Sequence, residues 1–483
     1  MTTAPPLDSH ALRPHVAVIG GGISGLATAY FLRRGNEGPA PHVTVIEAAD
    51  RLGGKVLTCR VGEFSVDTGP DSLPGRPVLL SLLKDLGFAD AIVPVAPLGF
   101  YVWSHAKLRR LPPATMFGVP DRLIPLLRSR LLSPSGALRA GLDLVLPRQR
   151  LPDDASVAEL LRPRFGTQLF ERLVEPLLGG MHAGRANELS ARSTVPSIDA
   201  LVRANRSPYL ALRRMRRKAT NGVGPTTVTL DLGLGQLIAA LTSALTETDV
   251  RLGTRATALQ RRTEGFQIDI DDGSERATVK ADAVVVATPA FVTADLVESL
   301  TSTAATELRD VPYVGVATII LTYPADAVGR RLDATGFLVP PVEGRLVVGC
   351  SWLSAKWPHL SAKMVVVVRA MVGRAGDQRW AVLDDATLIR RVHAELAEAM
   401  SLSAEPLHTH LQRWPRALPQ YTVGHQDRLN RLDVALAKVP GLHVTGAAYR
   451  GAGVAGCVAQ AEETAARALA GLAVLRQAQM SHS

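Results

Sequence analysis

The sequence predicts an α/β fold containing a Rossmann-like domain. Three strings carry that prediction: a glycine-rich strand–turn–helix at 15–34, a buried β-branched strand at 281–290, and a strand, glycine-rich turn and long helix at 441–469. His15 to Gly20 is an apolar, β-branched run, the composition of a buried strand. From Ile23 to Arg34 the spacing turns helical, with Ile23, Leu26, Ala27, Tyr30 and Phe31 on one side. The turn between them is Gly20, Gly21, Gly22, Ile23, Ser24 and Gly25, in which Gly20, Gly22 and Gly25 fit G-x-G-x-x-G. The first glycine allows a tight turn, the second lets a pyrophosphate approach the backbone, and the third lets the helix pack close to the strand. The helix N-terminus offers free N–H groups to the phosphates. His42 to Glu47 reads as a second strand. Glu47 lies 22 residues beyond Gly25, where an acid can accept hydrogen bonds from ribose hydroxyls. The string therefore predicts a dinucleotide site.

Composition bounds the rest. A chain of 483 residues has room for two or three domains, and 47% hydrophobic residues can fill a large core. Cys59, Cys350 and Cys457 are odd in number and far apart, which argues for a reducing compartment and no disulfide framework. There is no C-x-x-C, and the histidines do not cluster at metal-ligand spacing, so no metal is expected. His408 and His410 alternate as on one strand face. The first 14 residues are polar and Pro-rich, and no run reaches the length of a transmembrane helix, so a cytoplasmic location is expected. The run "KMVVVVRAMV" at 363–372 is short and β-branched, as in a buried strand. The 54 basic residues exceed the 44 acidic ones by a net +10, which suits anionic small molecules, anionic lipid heads or nucleic acid. Few aromatic residues and no nucleic-acid motif argue against the last.

After Glu47 and Ala48 comes "EAADRLGGKV", with Arg51, Gly53, Gly54 and Lys55, and then "DTGPDS" at 67–72. The string resembles the flavin-dependent amine oxidase and protoporphyrinogen oxidase superfamily, where R-x-G-G-R/K follows the ribose acid. The resemblance implies FAD, bound in extended form. It also implies a discontinuous Rossmann-like FAD-binding domain built from 14–76, 225–292 and 412–478. A mixed-sheet substrate domain would comprise 77–118 and 293–411, the latter holding one or two helices, and a helical domain would span 119–224. Within the helical domain, "DRLIPLLRSRLLS" and "ALRAGLDLVLPRQR" interleave apolar residues with arginine, and Ser156 suits an N-cap. Such helices can lie on a membrane surface, cover a substrate cavity, or simply form core. "RRMRRKATNGVGP" at 213–225 reads as a basic loop.

Longer strings narrow the resemblance. "LVEPLLGGMHAGRANELSARSTVP" (173–196), "GFLVPPVEGRLVVGCSWLSAKWPH" (336–359), "RWPRALPQYTVGHQDRL" (413–429) and "GAAYRGAGVAGC" (446–457) are similar, in order, to oxygen-dependent protoporphyrinogen/coproporphyrinogen III oxidases of bacteria. That family takes six electrons from a porphyrinogen in three two-electron steps. Hydride passes from a meso carbon to flavin N5, the macrocycle tautomerises, and O2 reoxidises the flavin to give H2O2. The chemistry belongs to the cofactor, and no fixed acid–base pair is expected. The resemblance places Gly20 to Gly25 at the pyrophosphate and Glu47, with Ala48 beside it, at the adenosine ribose. Arg51, Gly54 and Lys55 would flank phosphates and flavin, and Gly69, Pro70, Asp71 and Ser72 would line the flavin approach. Ala256 would contact adenine. Trp414 would lie near the isoalloxazine, with Val454, Ala455 and Gly456 at its pyrimidine end and Gly446 in the turn before them. Arg76 is the candidate propionate partner, since arginine clamps a carboxylate bidentately. Met181 and His182 would border the substrate.

Three departures from the family pattern bear on substrate choice. Pro77 follows Arg76 where Arg-Lys is common, His182 replaces Tyr or Phe, and "GVAGC" replaces Gly-Ile-Pro-x-Cys. Coproporphyrinogen III is the expected substrate, with protoporphyrinogen IX the alternative. A flavin amine oxidase or desaturase acting on another substrate, and a porphyrin-binding flavoprotein without turnover, stay open. "RALPQYTVGH" lacks the cysteine that would tether a flavin, so the FAD is expected to be non-covalent. A ferrochelatase that collects the product and a peripheral membrane contact are the candidate partners besides substrate and O2.

Overall fold

The computed structural model describes residues 13–34, 40–112, 115–218 and 227–480. Residues 1–12 of the polar N-terminal segment and 219–225 of the basic stretch lie outside them. The base of the molecule is a five-stranded parallel sheet ordered Asp249–Arg251, His42–Ile46, His15–Ile19, Ala283–Val286, Leu442–Val444. Parallel neighbours cannot be joined by a hairpin, so every strand pair needs a crossover. Two of the connections, from Ile46 to Asp249 and from Val286 to Leu442, are long, and the mixed sheet and the helical block are inserted in them. The strands are continuous apolar runs because both faces are covered. One face packs helices Ile23–Arg34, Pro77–Asp85 and Gly235–Ala244 and the first turns of Val454–Met480, through Leu26, Leu79, Leu237 and Val458, all fully buried. The other face carries the antiparallel meander Arg255–Arg261, Phe266–Asp271, Arg276–Ala281. Helices Ala290–Val297, Ser302–Arg309 and His425–Leu436 pack beside it, so the chain leaves this core only at Tyr313.

A seven-stranded mixed sheet stands on that base. Its order is His408–Pro419, Tyr313–Pro324, Val365–Val372, Val347–Trp352, Gly336–Leu338, Tyr101–Ser104, Lys107–Arg110. All pairs are antiparallel except Gly336–Leu338 with Tyr101–Ser104. The β-branched run at 363–372 forms the third strand, as its composition predicts. Helix Asp385–Met400 starts where the Asp384 carboxylate accepts from Thr387 N at 2.8 Å. It lays Leu388, Val392 and Leu396 on one face of the sheet. His408 and His410 both sit on the outer strand, paired with Thr322 and Ile320.

The helical block has its own core, including Leu160, Phe165, Phe170, Leu173 and Ile198. Ser156 caps helix Val157–Phe165 with a capping box: its Oγ accepts from Glu159 N (3.1 Å), and the Glu159 carboxylate accepts from Ser156 N (2.8 Å). Two helices are shorter than the apolar spacing suggests. Leu123–Arg128 stops early, and Pro134–Gly141 gives way to a 3-10 turn at Leu142–Leu144. A π-helical turn at Phe170–Val174 precedes Pro176. Proline lacks an N–H and crowds the carbonyl four residues back, that of Arg172, and a widened turn relieves both problems. The basic stretch corrects one expectation: residues 213–218 are helical, the end of Pro208–Lys218, rather than loop. Arginine and lysine are good helix formers, and Arg216 pairs with the buried Asp121 at 3.1 Å.

One buried ion pair ties this block together. Arg164 Nε donates to Asp143 Oδ1 at 2.6 Å, and its other nitrogens reach the carbonyls of Pro147 and Arg206. Asp143 Oδ2 accepts from Ser207 Oγ (2.7 Å) and Tyr209 N (3.1 Å). Removing one partner strands a buried charge. Asp143→Ala is therefore expected to destabilise the protein by about 3–5 kcal/mol, read as a fall in the denaturant midpoint, with the bound-flavin spectrum of the folded fraction unchanged.

Candidate active site

The glycine loop lies at the carboxyl ends of the central strands, where α/β sheets bind ligands. A side chain at Gly25 would put its Cβ 1.8 Å from the Gly20 carbonyl oxygen, so helix Ile23–Arg34 can pack here only with glycine. Ile23 and Ser24 open that helix, and its first N–H groups have no intrahelical partner. Gly22 pairs with Gly53, and Gly53 N donates to Gly21 O at 2.8 Å, which brings the second glycine string against the first. Arg51 braces the second string by donating to the carbonyls of Leu52 (3.2 Å) and Gly54 (2.7 Å). The Glu47 carboxylate accepts from Gly21 N (2.6 Å) and Ala49 N (2.8 Å). It turns past the exposed Ala48 toward the loop and keeps acceptor capacity for a ribose. Thr254 N donates to Glu47 O at 2.9 Å, and Ala256 follows on the first meander strand. Glu47 and the Ala256 strand thus share one end of the sheet.

The other end of the site is made by three distant segments. Lys55 sits with its ammonium 5.8 Å from the centre of the Tyr313 ring, near the buried thiol of Cys457. Burial pulls the Lys55 pKa below the usual lysine range. Among the described residues Lys55 forms no ion pair with a carboxylate. Ser24 meets the C-terminal loop, near the Cys457 thiol and beside Gly446. Val454, Ala455 and Gly456 form the buried first turn of the terminal helix. Tyr421 holds that loop: its hydroxyl donates to Ala447 O (2.7 Å) and accepts from Gly451 N (3.1 Å), and its ring stacks on His425. Gly69 passes so close to Lys55 O that a Cβ would come within 1.9 Å. The preceding carbonyl, that of Thr68, accepts from Trp414 Nε1 (3.2 Å) and Thr318 Oγ1 (2.6 Å). Trp414 is therefore next to Gly69 and Pro70.

Asp71 and Ser72 have partners that the sequence reading missed. Lys356 Nζ donates to Asp71 Oδ2 and to Ser72 Oγ, each at 2.7 Å, and Arg369 lies 3.1 Å from Asp71 Oδ1. Arg369 also donates to the carbonyls of Asp67 (3.1 Å) and Gly69 (2.9 Å). Burial acts to raise the Asp71 pKa, but Arg369 and then Lys356 outweigh it and hold the carboxyl well below its usual range. Burial pulls Lys356 down, and Asp71 opposes that. The pair is ionised. Asp67, without a direct cation, is pushed up to about 6 by burial and accepts from Thr58 Oγ1 and Leu234 N. Lys356 lies in the quoted "SAKWPH", yet nothing local marks it as the partner of residue 71.

The three substrate candidates are placed separately. Met181 is exposed and His182 half-buried at the end of helix Glu175–His182. Burial lowers the His182 pKa, its Nε2 has no partner, and its carbonyl accepts from Gln420 Nε2 at 2.9 Å. Arg76 is exposed, at the N-cap of helix Pro77–Asp85. Among the described residues no three potential metal ligands come together.

Residues 23–469 match the family of flavin containing amine oxidoreductases, and the chain belongs to that family. Within it, the coproporphyrinogen III oxidase of Bacillus subtilis (strain 168) is 33% identical over 466 residues, covering 95% of this chain and 98% of the relative. Protoporphyrinogen oxidase 1, chloroplastic, of Arabidopsis thaliana is 27% identical, covering 93% and 86%. A solved structure from Exiguobacterium sp. 255-15, a protoporphyrinogen oxidase by name, matches with a TM-score of 0.83 at 30% identity, covering 94% and 98%. The cofactor is FAD. The residues fit it: two glycine strings in contact, a helix N-terminus, an acid at the strand end, and a half-buried lysine without a counter-ion.

The Asp71–Lys356 contact joins the cofactor loop to the mixed sheet, so its loss should be felt in both. Asp71→Asn and Lys356→Met are each expected to cost about 3 kcal/mol. The double variant should cost at least about 1 kcal/mol less than their sum. Denaturant titrations of the four proteins give the coupling, and strict additivity would mean that the contact is absent.

Proposed function

We propose that this protein oxidises coproporphyrinogen III to coproporphyrin III in haem biosynthesis, removing six electrons in three two-electron steps. O2 is the final acceptor, and each step yields one H2O2. The observation that carries this reading is the end-to-end likeness to coproporphyrinogen III oxidases. When bound, FAD supplies the hydride acceptor and the site of O2 reduction. The chain's own residues bind, orient and polarise. Lys55 and the first turn of the terminal helix present positive charge, which favours an electron-rich ring. Trp414, Thr318 and Arg369 fix the carbonyls of 67–69, so the loop that borders the ring is rigid. Arg76 is the proposed partner of a propionate, with Met181 and His182 along the macrocycle.

A second reading concerns where the protein works. Ile124, Leu127, Leu138, Leu142 and Val145 are exposed large apolar side chains on two short helices and the turn after them. Arg122, Arg128, Arg130, Arg148 and Arg150, close to them in sequence, are exposed as well. Apolar residues accompanied by cations match the surface of an anionic bilayer. Among the described residues no helix is long and apolar enough to cross a membrane. We infer peripheral contact through this face, on a protein that is otherwise cytoplasmic.

Two experiments test these readings. Under anaerobic conditions coproporphyrinogen III should bleach the flavin absorbance, and readmitted O2 should restore it as porphyrin fluorescence grows. Bleaching by protoporphyrinogen IX alone would assign that substrate instead, and bleaching by neither would overturn the oxidase reading. In sedimentation with vesicles, the protein should follow phosphatidylglycerol-containing but not purely zwitterionic lipid. Leu138→Asp should reduce the bound fraction, and equal binding by the variant would remove this face from consideration.

A further inference from the structure

A cavity of about 570 Å³ opens between the helical block and the end of the mixed sheet. Five arginines line it: Arg162, Arg185, Arg345, Arg374 and Arg379. None of them belongs to the cofactor cradle. Three acids share the wall, Glu171, Glu175 and Asp377. Two of the cations are already committed. Arg379 pairs with Asp377 at 2.7 Å, and Arg345 pairs with Glu398 while stacking on Trp103. Arg185 lies flat on the Gly376 backbone and donates to Ala375 O at 3.0 Å. Arg162 covers the Phe170 ring. Neither forms an ion pair among the described residues, and both act on the Glu175 carboxylate.

Arg374 is the decisive group. It is 9% exposed, its Nε has no hydrogen-bond partner, and it forms no ion pair among the described residues. Ala375 N donates to Ala183 O at 2.7 Å, which fixes this turn against the end of helix Glu175–His182. Across the cavity Glu175 is anchored through Oε1 to Ala186 N (3.3 Å), while its Oε2 is buried and unpaired. Burial raises the Glu175 pKa, and the Ala186 N–H and the charges of Arg162, Arg185 and Arg374 oppose it. Buried polar groups in folded proteins are almost always satisfied. Five arginines stand against three acids on this wall, and Arg374, Arg185 and Arg162, which act on the Glu175 carboxylate, form no ion pair among the described residues. Carboxylate is the ligand that matches this set, because arginine binds it bidentately.

We propose that this cavity is a carboxylate-binding site that holds a propionate-bearing edge of the tetrapyrrole through Arg374, apart from the cofactor cradle. The volume lies within the range of small-molecule sites. The identity of the carboxylate as a propionate rests on the porphyrinogen reading, whereas the site itself does not.

Direct binding tests it. The oxidised FAD-loaded full chain is titrated with coproporphyrin III and with its tetramethyl ester, followed by Soret absorbance and porphyrin fluorescence. The free acid should bind more tightly than the ester. Arg374→Leu should weaken the free acid about tenfold or more and leave the ester and the flavin spectrum unchanged, and Arg374→Lys should recover part of the loss. Val342→Glu puts a negative charge at the exposed lip without touching the core. It should weaken the free acid in the same direction, and it decides the matter if Arg374→Leu fails to fold. Unchanged affinity for the free acid in Val342→Glu and in folded Arg374→Leu would overturn the site, even if the flavin bleaches with coproporphyrinogen III. Arg374-dependent binding without any bleaching would uphold the site and overturn the oxidase reading.

Discussion

Two cations of the mixed sheet close on one buried carboxylate of the cofactor domain, and the geometry of the active site depends on that contact. Asp71 sits two residues beyond Gly69, which packs on the Lys55 carbonyl, while Lys356 ends the short helix Leu353–Lys356 and Arg369 lies on strand Val365–Val372 of the other sheet. A buried carboxylate this close to two cations stays charged, and none of the three can relax toward water without leaving the others stranded. Arg369 adds two carbonyl contacts and Trp414 and Thr318 a third, so backbone 67–69 is held at successive points. The relative placement of the parallel-sheet domain and the mixed sheet is thereby built into the core rather than left to a hinge.

The parallel sheet imposes the other constraint. Its five strands come from positions 15 to 444, and each parallel step needs a crossover. A chain that must return to one sheet can place whole domains in those crossovers. The mixed sheet and the helical block are such insertions, and both therefore end beside the carboxyl ends of the parallel strands. The loops that carry Gly22, Gly54 and Gly446 follow three of those parallel strands.

What could be read from the sequence follows from how local each constraint is. Helix Ile23–Arg34 was legible to the residue, because spacing, the glycine triplet and the strand before it are all local. Ser156 was legible as a cap for the same reason. The strand at 365–372 was legible from β-branching. The basic stretch misled: four arginines read as loop, yet arginine is at home in a helix and Asp121, distant in sequence, neutralises one of them. The π-turn at 170–174 had a local signal in Pro176 that can be recognised only once the helix is known to continue past it. The Asp71–Lys356 contact had none, since its partners are 285 residues apart and neither lies in a charge pattern. The same holds for Tyr421, whose hydroxyl fixes a loop 26 residues on.

The distribution of arginine shows how one residue type serves opposite ends. Arg164 is buried and fully bonded, and it stabilises the helical block only because Asp143 and two carbonyls complete its coordination. Arg369 is similarly saturated. Arg374 is as inaccessible as these but lacks their partners. Folding alone gains nothing from a buried guanidinium with a free donor, and its burial lowers its pKa against the preference of the side chain. An apolar residue would pack that turn at lower cost. The contrast between a saturated Arg164 and an unsaturated Arg374 in one protein therefore separates a structural charge from one kept for a ligand, and it does so without reference to what the flavin oxidises.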